Sequence, residues 1–108
     1  MALDFARQSE QALESLKQAL IRAEESADFE VEDASGALHI SFDDPPARFI
    51  ISPNSAVKQI WISAQSTSFK LDWSEAQKDF VLSKTGEPLK ALVARLVNEQ
   101  LGDLSVTL

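Results

Sequence analysis

Cysteine is absent from the 108 residues, which excludes disulfides, thiolate nucleophiles and cysteine-held zinc or cluster sites. Histidine occurs once, as His39, so a His-rich metal cage is impossible and conventional triad chemistry is unsupported. Long apolar runs are missing as well: no stretch approaches the roughly 20 residues that span a bilayer. The first residues, Met1 to Arg7, carry Asp4 and lack the basic, then apolar, then small-residue order of a secretion signal. A cytoplasmic protein is the simplest expectation. Positive charge is scarce, with 10 basic residues against 17 acidic ones and a net charge of -7. Gripping nucleic acid or anionic lipid requires Lys and Arg to displace counterions, so neither is expected as a partner.

What remains is a chain that is 44% hydrophobic, enough for one small globular domain spanning 1–108. Its charge is unevenly placed. Residues 1–50 hold 11 acids and 4 bases, whereas residues 51–108 hold 6 of each. Glu24, Glu25, Asp28, Glu30, Glu32 and Asp33 put six carboxylates into ten residues with no base among them. Such crowding costs stability through self-repulsion. A merely solvated acidic face is the plainest account of it; relief by a cation or a basic partner is the alternative.

From about Asp4 to Glu25 the apolar residues Phe5, Ala12, Leu13, Leu16, Ala19, Leu20 and Ala23 recur at helical spacing, uninterrupted by Gly or Pro. Strand patterns follow. Phe29 and Val31 alternate with acids, then Leu38, Ile40 and Phe42 alternate with His39 and Ser41 across a Ser35-Gly36 turn signal. Asp43-Asp44-Pro45-Pro46 marks a second turn, and Phe49, Ile50 and Ile51 mark a third strand. Three more strands are predicted over Lys58 to Ala64, Ser68 to Trp73 and Asp79 to Ser83. A second helix opens near Pro88 and carries Leu89, Leu92, Val93, Leu96 and Val97 before Gly102. The tail residues Leu104, Val106 and Leu108 are expected to pack on the domain. Short turns between consecutive strands favour antiparallel pairing. The expected fold is α+β: a two-layer sandwich with two helices on one face of an antiparallel sheet of about six strands.

Strand parity separates core from open face. Ile60 and Ile62 form the core pair of the fourth strand, so Gln59, Trp61 and Ser63 point to the open face. Phe49 and Ile51 go inward and leave Arg48, Ile50 and Ser52 outside, with His39 and Ser41 beside them. Phe69, Leu71 and Trp73 are assigned inward, Lys70 and Asp72 outward. Trp61 thus stands among polar neighbours, the composition of an interface anchor, unless a bulge reverses the parity.

Lys58-Gln59-Ile60-Trp61-Ile62-Ser63, with Leu71-Asp72-Trp73 ten residues beyond Trp61, resembles the signature of the frataxin family. So do Gly36-Ala37-Leu38-His39-Ile40-Ser41-Phe42, the acidic end of the first helix, and Ser83-Lys84-Thr85-Gly86-Glu87 before the last helix. The resemblance covers roughly Phe5 to Gly102, and the short N-terminus is similar to the bacterial form. It implies iron bound weakly and reversibly, as Fe2+ or Fe3+, by an acidic ridge of Glu24, Glu25, Asp28, Glu30, Glu32 and Asp33. It implies service to iron–sulfur cluster assembly through a cysteine desulfurase and a scaffold protein, contacted by Gln59 and Trp61. A monomer is implied, with an iron-dependent oligomer as the alternative. The chain departs from the family pattern at Ser52 and Asn54, which flank Pro53 where Asn and Gln are common, and at Phe80, where a tryptophan is usual. Ser52 and Asn54 are carried as part of the partner-binding set.

Carboxylates suit iron when no softer ligand is offered. On a strand, same-face acids stand about 6.7 Å apart, while two oxygens on one metal lie at most about 4.2 Å apart. Weak, fast-exchanging sites open to other divalent ions are therefore expected. The same ridge fits a basic partner surface, and an acidic interaction domain without a metal role is the competing reading. No nucleophile with an activating base is evident, so no enzyme activity of its own is expected; a ferroxidase-like activity enters by family resemblance alone. His39 reads as a surface strand residue unless first-strand carboxylates stand beside it.

Overall fold

Twenty residues without Gly or Pro, Phe5–Glu24, form helix α1 in a computed structural model that describes residues 5–34, 36–43, 46–102 and 106–108. Its apolar stripe of Phe5, Leu13, Leu16, Ala19 and Leu20 is buried, as a 3.6-residue period requires. Then come β1 (Glu30–Ala34), β2 (Ala37–Asp43), β3 (Pro46–Asn54), β4 (Gln59–Ala64), β5 (Thr67–Ser74), β6 (Asp79–Leu82) and β7 (Glu87–Pro88), and α2 closes the chain's regular structure at Leu89–Leu101. The strands form a single sheet in chain order, β1 to β7, every neighbouring pair antiparallel. The α+β arrangement expected from sequence holds, with seven strands in place of about six. The extra one is the two-residue pairing of Glu87–Pro88 with Val81 and Leu82, too short for any alternation to reveal it.

Both helices bury their stripes against one sheet face. Ile40, Ile51, Ile60, Ile62, Leu71 and Phe80 meet Leu16, Leu20, Leu92 and Leu96, all at 1% exposure or less. Ring contacts fill the layer: Phe42–Phe49 at 4.8 Å, Trp73–Phe80 at 5.2 Å and Phe5–Phe80 at 5.8 Å. Trp73 and Phe69 lie inward as assigned, though only half-buried. Truncating a fully buried Leu or Ile here to Ala should cost about 2–5 kcal/mol. The β4–β5 hairpin turns on Gln65 and Ser66, both in the left-handed region at φ 55° and 60°, a conformation that penalises residues with a Cβ. A contact from Gln65 Nε2 to the Leu96 carbonyl at 3.5 Å joins that turn to α2.

The ends of α2 match their sequence signals. Pro88 sits just before the first turn, and Gly102 ends the helix at φ 78°, its N–H donating to the Asn98 carbonyl at 2.8 Å. The Asn98 side chain clasps the tail, accepting from Val106 N–H at 2.9 Å and donating to the Val106 carbonyl at 3.0 Å. Val106 is buried and Leu108 packs on the core; Leu104 lies outside the described residues, as do Ser35, Asp44 and Pro45 of the expected turns.

Candidate functional site

The acidic rim is built where α1 ends and the sheet begins. Ser26 N–H returns to the Ala23 carbonyl at 3.1 Å, the chain bends, and buried Phe29 pins it to the core before β1 starts. Asp28 therefore lies in the bend, not within the strand, while Glu30 and Glu32 share the open face of β1. Asp33 has the opposite parity and meets Lys17 of α1 at 3.3 Å. Glu24 is also engaged: its Oε2 accepts the Val31 N–H at 2.9 Å. Glu25, Asp28, Glu30 and Glu32 make no hydrogen bond or ion pair among the described residues. Glu24 and Glu25 stand at the helix C-terminus, whose partial negative charge adds to the repulsion.

A shallow depression of about 620 Å³ is lined by Glu24, Glu25, Asp28, Glu30, Glu32, Ser41 and Asp43. Among the described residues no three acids or histidines converge in metal-ligating geometry. A cation here would be held only after exposed side chains swing together. Asp43 was not among the residues singled out by sequence. The β1–β2 ladder ends with Glu30 paired to Ser41, and beyond it Asp28 and Asp43 line the same depression. The signal was available, because the Ser35-Gly36 turn signal in the sequence, read as a hairpin, predicts a register of this kind. His39 pairs with Glu32 across the same hairpin and is half-buried on the open face.

The second cluster lies on β4, three strand spacings or roughly 14 Å from β1. Trp61 is half-buried on the open face with Gln59. Its indole Nε1–H donates to Gln59 Oε1 at 2.9 Å, and Gln59 Nε2 donates to Asp72 Oδ1 at 3.0 Å. Lys70, paired with Trp61 across β5, sets its ammonium 4.9 Å from the ring centroid, a stabilising cation–π contact. Trp61 thus lies on the open face as its strand parity predicts, with Gln59 and Lys70 holding its ring. Ser52 lies directly across from Trp61, and Asn54 across from Gln59. Asn54 has a local task too: its Oδ1 accepts the Ala56 N–H at 3.1 Å.

Pro53, flanked by these two, falls beyond the last β2–β3 pair, Leu38 with Ile51. Its missing N–H therefore leaves no gap in that ladder. On its other side Pro53 pairs with Ile60 of β4.

Comparison with known proteins supports the fold. The family model of the frataxin-like domain matches residues 2–103. A protein of Stutzerimonas stutzeri named iron–sulfur cluster assembly protein CyaY is 32% identical over 78 residues, 72% of this chain and 70% of that one. Its namesake from Pseudomonas putida is 30% identical over 100 residues, 93% of this chain and 86% of that one. In three dimensions the fold resembles frataxin from Psychromonas ingrahamii with a TM-score of 0.74 over 94% of each chain, at 16% identity.

Proposed function

Because the chain belongs to the frataxin-like family, we propose that it is an accessory protein of iron–sulfur cluster assembly. In this reading it takes up iron weakly at the acidic rim and supplies or regulates a complex of cysteine desulfurase and scaffold protein. The observation that carries the reading is the depression whose acids Glu25, Asp28, Glu30 and Glu32 face solvent without partners among the described residues. Charge left unpaired and crowded costs stability, and a cation or a basic protein surface offsets that cost. Iron is cargo here, Fe2+ or Fe3+, held by carboxylates that must move to meet it, so exchange is fast and selectivity among divalent ions is low. The protein is a binding partner, not an enzyme, acts in the cytoplasm, and works as a monomer that associates, if at all, with iron.

Two contacts are assigned. The rim meets a basic patch of the desulfurase, where complementary charge speeds and orients the encounter. Trp61, with Gln59, Ser52 and Asn54 around it, supplies the packed anchor toward the scaffold. Co-purification with a cysteine desulfurase at low and high salt tests the first. Charge reversal at Glu24, Glu25 and Asp28 should abolish capture at low salt, and added salt should weaken the wild-type complex. Capture indifferent to both would refute the docking role. The absence of a converging ligand set among the described residues favours keeping a second reading, an acidic interaction domain without a metal role. Line broadening by Fe2+ under argon separates the two: confinement to residues 24–33 supports iron uptake, and no broadening leaves only the partner role.

A further inference from the structure

We infer that Glu24 is a positioning residue, assembling the rim from its two elements through a hydrogen bond that its charge alone would not supply. Among the described residues strand β1 is an edge of the sheet, paired only with β2. Its Val31 N–H is taken by Glu24 Oε2, so that donor points away from β2 into the free flank. An open flank is where strands fray and where foreign strands add. Helix α1 closes it twice: Glu24 bonds Val31, and Lys17, two helical turns earlier, pairs with Asp33 at 3.3 Å. Val31 and Asp33 are alternate residues, so the helix straps successive positions of one parity.

The consequence lies in what each element carries. Glu25 and Asp28 follow α1, whereas Glu30 and Glu32 ride on β1. Glu24 is half-buried while these four are exposed, and it alone among them is bonded to backbone. A carboxylate oxygen has lone pairs enough for Oε2 to keep the Val31 bond while Oε1 faces a ligand. Hydrogen bonds of this kind are what orient a ligating carboxylate. With Glu24 in place the two acid pairs share a frame; without it they respond separately. This second half rests on the cation reading above, whereas the strap itself does not.

Amide hydrogen exchange without added cation tests the strap. Glu24→Ala should speed exchange at Val31 by about fivefold to tenfold, matching the loss of one net hydrogen bond. Glu24→Gln keeps a carbonyl acceptor and should stay near wild type, as should Glu30→Gln. Unchanged protection of Val31 in Glu24→Ala overturns the strap. Titration with Ca2+, followed at the Glu25 and Glu30 amides, tests the shared frame. Wild type and Glu24→Gln should each show one common midpoint, and Glu24→Ala two. A common midpoint in Glu24→Ala overturns the positioning role, and no response in wild type overturns the cation reading without touching the exchange result.

Discussion

The rim at β1 and the corner where β7 meets α2 handle carboxylates in opposite ways. At the corner, Arg95 grips Glu87 with two bonds, 2.8 Å from Nε and 3.0 Å from the second terminal nitrogen, and reaches Glu99 at 3.0 Å. Thr85 adds a hydroxyl donor to Glu87 at 2.9 Å. Arg95 hydrogen bonding, opposed by desolvation and aided by Thr85, holds the Glu87 carboxyl below its ordinary 4.5. The guanidinium is correspondingly raised, chiefly by Glu87. At the rim, four acids have no such partner among the described residues. The chain pairs its acids at the corner and leaves those of the rim exposed to solvent. The difference separates charge engaged in the fold from charge that, under the proposed function, meets a cation or a basic partner.

Three experiments press on that contrast. The largest effect is expected at the corner. Arg95→Ala removes the cation between Glu87 and Glu99 at a half-exposed site, and thermal unfolding should register a loss of about 1 kcal/mol, the top of the usual range for a surface pair, because the grip is bidentate. Next, Glu30→Gln with Glu32→Gln should move the melting temperature the other way, up by about 1–3 °C at low salt, since repulsion is removed. That gain should shrink with added salt, which screens exposed charges. A fall in melting temperature would show that the rim acids stabilise the fold and would erase the contrast. The smallest effect concerns pH. A carboxyl whose folded value is depressed contributes fully above its unfolded value and loses that contribution as pH falls through the folded one. The melting-temperature gap between wild type and Glu87→Gln should therefore be widest near neutrality and close in acid below 4.5. A gap that widens on acidification would contradict the assignment.

Much of the architecture was legible in the residues. Two periodicities, 3.6 and 2, located both helices and six strands, and parity alone put Ile60 and Ile62 inward and Trp61 outward. The β7 pairing was invisible because two residues carry no alternation. The strand bounds left Gln65 and Ser66 in a turn, but its left-handed conformation was not legible, since neither residue advertises a positive φ as Asn or Gly would. The acids of the rim stood out as a run of like charge. Which of them were already engaged did not: Glu24 with Val31 and Asp33 with Lys17 are contacts across seven and sixteen residues, set by how the helix crosses the strand edge.

The order of amino acids, taken alone, determined the layers, the facing of the strands and the crowding of negative charge, because these follow from local spacing. Only the tertiary structure decided which carboxylates are spent on the fold and which remain available, and that Asp43 joins them from the neighbouring strand. Hydrogen bonds and ion pairs depend on distances between segments remote in the chain, and no local pattern encodes those distances.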